Sequence, residues 1–394
     1  MTGALDGIKV ADFGRFVAGP WCSCLLADLG ADVVRVERVG GGEDRYVAPV
    51  ADDGAGSLFL QVNRNKRGMT ADPTSTGGRE VVRRLVGWAD VVVVNLPETA
   101  LRIMGLDYDS VRAVKKDVIL TTIDAFGRGG PYSDRVGFDG VGQAMSSSMH
   151  LSGQPGRPTK TYVPWVDFNT AALAAYATMA ALLWRERTGE GQHVTASLLR
   201  TALTASSGPV IEQAVTQPNR TAIGNRSHYG APYDVCATRD GWVIVQVITN
   251  PLFVRWCRLV GAEEWIGDPR FDTDEHRAAN ADVLCDRLGA WCAERTTADA
   301  LAQLDAARIP AGPVLSPQQV LDDPHVQATG LLQPVDYPGL AGLAPVVATP
   351  VMLSKSPAEI RRSPPTPGQH TDEVLGHLGY APDEITALRT EGAV

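Results

Sequence analysis

A short apolar strand, a tight loop, a helical stretch and a second apolar strand open this chain, and that order restricts its fold more than any other feature. IKVADF (8–13) reads as the strand, GRFVAGP (14–20) as the loop, a stretch from about Trp21 to Leu29 as the helix, and ADVVRVE (31–37) as the next strand. A helix near 77–87 and two more apolar runs, ADVVVVNL (89–96) and DVILTTIDAF (117–126), continue the pattern. Strands that alternate with helices pair in parallel, and helices then cover both sheet faces, so the expected class is α/β. Ligands of such sheets bind beyond the carboxyl ends of the strands. Here those ends carry GRFVAGP, Glu37-Arg38 and Asn95-Leu96.

Several chemistries common on this architecture lack their residues. Glu37 ends the second strand where an acid would hold a ribose hydroxyl, yet the loop before it carries Arg15, Phe16 and Val17 where a pyrophosphate needs bare backbone. No GxGxxG, Walker loop, GxSxG elbow or HExxH occurs in the sequence. The six cysteines form no CxxC or metal-ligand spacing, so no metal is expected and a reduced, cytoplasmic protein is. A formal charge of −9 argues against nucleic acid as the partner. The N-terminus has no apolar core of a signal peptide, and the uncharged run 170–184 is too short to span a bilayer, so no membrane partner is expected.

At 394 residues two domains are expected. Residues 205–232, rich in Ser, Gly, Pro and Asn, read as a linker; a second unit runs from DGWVIVQVI (240–248) through helical segments near 251–260, 280–295 and 297–307. Arg35, Arg38 and Arg45, then Arg64, Lys66 and Arg67, read as a solvated basic face. Against that, Arg38 stands at a strand's carboxyl end, where a guanidinium can meet a phosphate or stack on adenine.

One acid stands apart. Asp167 precedes a long apolar stretch in which Leu173, Tyr176, Met179 and Leu183 recur at near-helical spacing, read as the buried stripe of a helix ending at Gly189. An aspartate there is a ready N-cap. Its neighbours Val163, Pro164, Trp165, Val166 and Phe168 are apolar, and a desolvated carboxylate is a stronger nucleophile than a hydrated one. The two roles are compatible.

The ordered set of segments resembles the class III CoA-transferase (CaiB/BaiF) family. The segments are LDGIKVADFGRFVAGPWCSCLLADLGADVVRVE, VNRNKRG, VVNLPETALRIMGLDY, GFDGVGQAM, VDFNTAALAAYATMAALLWRERTGEGQ, RIPAGPVLS and HTDEVLGHLG. The resemblance implies a Rossmann-like large domain built from both ends of the chain, an inserted smaller α/β domain, and two chains interlocked as a homodimer. In this sequence that gives 1–204 and 319–394 as the large domain with its return linker, and 233–318 as the small one.

It also implies an acyl-CoA:carboxylate CoA-transferase that takes coenzyme A as co-substrate and an acyl-CoA and a carboxylic acid as partners. The family's nucleophilic aspartate falls on Asp167 and its CoA-contacting loop on Val17 and Ala18. Its adenine-stacking arginine falls on Arg38, further contacts on Ala71, Asn95 and Leu96, and its acyl-site segment on Gly137, Phe138 and Asp139. The family's phosphate-side arginine falls on Ile103, with Arg102 one place earlier. Backbone N–H groups at the start of the Asp167 helix are expected to steady the oxyanions. The alternatives are an α-methylacyl-CoA racemase of the same fold and a non-catalytic acyl-CoA-binding protein. The racemase histidine falls on Phe138, which carries no proton, and its glutamate near Asn250.

Overall fold

The structure, a computed structural model, describes residues 3–394. The chain forms two compact units. One contains the chain up to Ser147, Thr161–Ile211 and Gln327–Val394; the other contains Ser148–Lys160 and Glu212–Val326.

In the first unit six parallel strands form one sheet: β1 (Lys9–Asp12), β2 (Asp32–Glu37), β3 (Lys66–Thr70), β4 (Val91–Val94), β5 (Ile119–Asp124) and β6 (His193–Ser197). Their spatial order is β3-β2-β1-β4-β5-β6, so the direction of winding reverses between β1 and β4. Such a reversal splays the loops leaving the two strands and opens a crevice at their carboxyl ends. The helices of this unit include α1 (Ala18–Asp28), α2 (Ser57–Asn63), α3 (Thr76–Trp88), α4 (Glu98–Met104), α5 (Tyr108–Val114), α6 (Asp139–Met145) and α7 (Trp165–Thr188). One face packs Val10, Val33 and Val91 on Cys22 and Leu26 of α1 and Ala171 and Ala174 of α7. The other packs Val34, Val92 and Val94 on Val81 and Leu85 of α3 and on Leu375 of the C-terminal helix Thr371–His377.

Two expectations are corrected. Helix α7 does not bury its large apolar stripe: Leu173 is 47% and Tyr176 68% exposed, and Leu183 and Trp184 are exposed as well. Its buried face is Val166, Asp167, Thr170, Ala171, Ala174, Ala175, Thr178, Ala181 and Leu182. Small side chains let α7 approach α1 and the sheet closely, and the hydroxyls of Thr170 and Thr178 return to the Val166 and Ala174 carbonyls, 2.7 Å away in each case. By length and composition this helix is also apolar enough to cross a membrane, but here one of its faces lies in the core.

The basic clusters are not a solvated face. Arg35, Arg45, Arg64 and Lys66 are fully buried, and β3, whose KRGMT conceals a strand behind charge, is buried along its whole length. Each cation has an acid: Lys66 Nζ lies 2.8 Å from Asp12, Arg35 2.6 Å from Asp44, Arg64 2.8 Å from Asp28, and Arg45 pairs with Glu37. Lys66 also donates to the Asn63 side chain at 2.9 Å and the Pro20 carbonyl at 2.7 Å. Desolvation costs such pairs most of their Coulomb gain, but removing one partner strands a buried charge. Lys66→Met is therefore expected to cost about 3–5 kcal/mol, read as the shift in a urea unfolding midpoint.

The second unit carries a three-stranded antiparallel sheet, Tyr233–Ala237, Trp242–Gln246 and Ala311–Pro313. Helices Asn250–Val260, Ala281–Ala293 and Thr297–Ala306 follow the expected segments, around a core of Phe253, Trp256, Phe271, Leu284 and Leu288. Inside the stretch expected as a linker, Ser207–Thr216 is helical.

Candidate active site

The crevice at the β1/β4 reversal is a cleft of about 540 Å³ in the first unit. Its floor is the loop between β1 and α1, whose shape follows from three contacts. The Asn95 amide clamps the backbone of Arg15 from both sides, accepting from its N–H at 2.7 Å and donating to its carbonyl at 2.9 Å. Asp12, held by Lys66 and Ser23, accepts from the Gly14 N–H at 2.8 Å. Gly19 is bare because a Cβ there would lie 2.8 Å from the Asn95 Oδ1. These restraints hold Phe16 at φ 58°, a left-handed conformation that a bulky side chain rarely adopts. Its ring meets Phe138 edge-on, with centroids 5.5 Å apart.

Val17, Ala18, Asn95, Leu96, Gly137, Phe138 and Asp167 all line this cleft. Three chain segments distant in sequence, at Val17-Ala18, Asn95-Leu96 and Gly137-Phe138, thus converge on the cleft that Asp167 lines. Asp167 is 9% exposed, and among the described residues no cation pairs with it. Burial, and secondarily the negative charge of Asp139, push its carboxyl up to about 7. Phe168, next to it, packs edge-on against Trp21 at 5.5 Å and dries that side.

Asp167 is not the helix cap. The N-cap position of α7 is Pro164, and Asp167 lies inside the first turn. The capping carboxylate comes from another helix: Asp139 Oδ1 accepts the N–H of Val166 at 2.7 Å and of Asp167 at 3.1 Å. Asp139 Oδ2 accepts from the Gln143 amide at 2.5 Å, and the Gln143 oxygen accepts from the N–H and hydroxyl of Thr161, at 3.1 and 3.0 Å. Asp139 is accordingly buried, with its carboxylate turned to the start of α7. The other two first-turn donors are also used, Trp165 N–H by Val163 and Phe168 N–H by Pro164. The start of α7 has no N–H to spare for an oxyanion. By contrast α1 starts at the cleft with no side-chain cap and no acid in its first turn.

The remaining expected contacts stand apart from the cleft lining. Ala71 is buried just beyond β3, its N–H donating to the Glu37 carbonyl. Arg102 is exposed on α4, 3.5 Å from Glu98. Arg38 is held at the rim, donating to the Gly41 carbonyl at 2.7 Å. Sequence reasoning missed three cleft arginines, Arg15, Arg128 and Arg135, scattered through Gly-rich loops without any spacing signal.

The chain is similar to known proteins along nearly its whole length. A family model described as CoA-transferase family III matches residues 5–371. A succinate–glutarate CoA-transferase of Agrobacterium fabrum is 34% identical over 95% of this chain and 95% of its own. A formyl-CoA:oxalate CoA-transferase of Rhodopseudomonas palustris is 32% identical, covering 100% of this chain and 98% of its own. The crystal structure of a CAIB/BAIF family protein from Brucella suis superimposes with a TM-score of 0.85 at 33% identity, covering 96% of this chain and 100% of that one.

Proposed function

This chain belongs to CoA-transferase family III and is a CoA-transferase; on that premise we propose that Asp167 is its nucleophile and carries the acyl group and then CoA in turn. The observation that supports this reading is a buried carboxylate, paired with no cation among the described residues, that lines the cleft beside Val17, Ala18, Leu96 and Phe138.

An Asp167 carboxylate oxygen attacks the carbonyl of the donor thioester; the C–S bond breaks and CoA leaves as the thiolate. The result is a mixed anhydride between the acyl group and Asp167. The thiolate then attacks the Asp167 carbonyl, releases the donor acid as its carboxylate and leaves an aspartyl-CoA thioester. An acceptor carboxylate runs both steps in reverse and departs as the new acyl-CoA. One thioester is made for each one broken, so no other energy source is needed. Oxyanions of these additions are met by the Ala18 and Gly19 N–H groups at the start of α1, which has no side-chain cap.

The two curated relatives described above are named for succinate, glutarate and oxalate. We therefore put short dicarboxylic acids first among acceptors for this chain. Arg38, Ala71, Asn95, Leu96, Val17, Ala18 and Arg102 remain its proposed CoA contacts, with Gly137 and Phe138 on the acyl side. The exposed Leu173, Tyr176, Leu183 and Trp184 support a homodimer, since an apolar stripe of this size is unusual on a monomer. Light scattering is expected to give twice the chain mass.

Peptide mass spectrometry after mixing with succinyl-CoA and quenching in hydroxylamine tests the covalent route. The expected product is an Asp167 hydroxamate, and an unmodified Asp167 under conditions of measured turnover sinks the proposal.

A further inference from the structure

At the rim of the cleft one carboxylate is shared by two guanidinium groups. Glu43 Oε2 lies 3.5 Å from Arg38 Nη2 and 4.0 Å from Arg15 Nη1. Arg15 and Glu43 both line the cleft. Neither arginine has a strong acid of its own. Arg15 Nη1 is 3.3 Å from Asp44, but Asp44 is already engaged by the buried Arg35 at 2.6 Å and by the Phe16 N–H at 3.3 Å. Arg38 otherwise bonds only a carbonyl. The backbone at Glu43 is pinned, Gly42 N–H donating to the buried Glu37 at 3.2 Å and Asp44 and Arg45 being buried, so the exposed Glu43 side chain is the part free to turn.

Two cations converging on one anion form a site for an anion, and the present occupant is a weak one. The Glu43 and Arg38 side chains are 57% and 60% exposed, and such pairs contribute little. A phosphate has more charge and three acceptor oxygens, and it suits guanidinium forks in a way that one carboxylate oxygen at 3.5–4.0 Å does not.

We infer that Glu43 holds the place of a phosphate group of CoA: the phosphate binds between Arg15 and Arg38, and the exposed Glu43 side chain rotates out to solvent. This rests on the reading of the cleft as a CoA site. It makes Glu43 a built-in competitor that sets how tightly the nucleotide end is held, and it gives Arg15 a ligand. It also accounts for Arg38 standing at the rim rather than in the cleft.

Titration calorimetry with CoA, dephospho-CoA and pantetheine, on the full chain and on Glu43→Gln and Arg15→Gln, tests the inference. Glu43→Gln replaces an exposed side chain and keeps the fold. It is expected to bind CoA roughly threefold more tightly, the scale of an exposed ion pair, with pantetheine unchanged. Arg15→Gln is expected to weaken CoA about tenfold or more, the scale of a charged hydrogen bond, again sparing pantetheine. A gain confined to CoA assigns the site to the 3′-phosphate. A gain shared by dephospho-CoA assigns it to the pyrophosphate, and either supports the inference. If Glu43→Gln leaves CoA affinity unchanged, or tightens pantetheine equally, the inference is overturned. If the unaltered chain binds none of the three, the CoA reading itself has failed, and this inference with it.

Discussion

Asp167→Asn is expected to abolish CoA transfer, by at least ~10³-fold in kcat, while the chain still folds. An amide cannot open a thioester and leave as a carboxylate, so neither half of the exchange runs. The variant is a clean one because the start of α7 is capped by Asp139 and not by the residue replaced. Its stability carries a second signature. The Asp167 carboxyl is pushed up to about 7, above its value in the unfolded chain, so folding favours the protonated form. That contribution is complete below the ordinary carboxylate range and is lost as pH rises through about 7. Asparagine removes the dependence. The variant should therefore gain stability over the parent between pH 4 and 7 and hold a constant advantage above that, with ~4 kcal/mol as an upper bound from a shift of about three units. Urea melts at pH 5 and pH 8 measure it. Retained transfer activity in a folded variant would refute the nucleophile assignment.

Asp139→Asn is expected to move the acidic limb of the kcat/KM profile. In the parent that limb is expected near pH 7, to which burial and Asp139 push the Asp167 carboxyl. Asp139 is the lesser of two causes of the raised value, burial being the larger. Removing its charge should move the limb toward lower pH without returning it to the usual carboxylate range. An asparagine oxygen still accepts the Val166 and Asp167 N–H groups, so the helix start stays in place. Its NH₂, however, now faces the NH₂ of the buried Gln143, and the loss of that hydrogen bond costs about 1 kcal/mol in stability. A profile whose limb stays put while stability falls would show Asp139 to be structural only.

These expectations differ from what the sequence suggested about the same residues, and the reason lies in distance along the chain. The Asp167 carboxylate was visible in the sequence as one acid in apolar company, and a cap was the simplest local role. The true cap comes from 28 residues upstream, through α6. No local rule of spacing joins Asp139 to the Val166 and Asp167 amides, because the bond depends on how two helices meet. The basic run of 62–68 misled for a related reason. Charge patterns report solvent exposure only when no acids are folded against them, and Asp12, Asp28 and Asp32 arrive from other elements to meet Lys66, Arg64 and Arg67.

The stripe on α7 shows the limit of periodicity. Leu173, Tyr176 and Leu183 fall on one helix face, and periodicity alone assigns that face to the core. Packing chose the opposite face because alanine and threonine allow a closer approach to α1 than leucine and tyrosine do. The large side chains then stay outside, where a second copy of the chain can cover them.

The sequence by itself determined the parallel α/β plan, the loops that end its strands and the one acid worth testing. Apolar runs and breaks between them are local, and local pattern decides which segments become strands and helices. Only the tertiary structure decided that β1 and β4 stand side by side at the reversal, that Asn95 clamps the loop at Arg15, and that Asp139 holds the helix on which Asp167 rides. Each of those joins residues far apart in the chain through bonds with strict geometry. The chemistry proposed for Asp167 rests on them: the surroundings of a carboxylate set its proton affinity, and those surroundings are assembled only when the chain has folded.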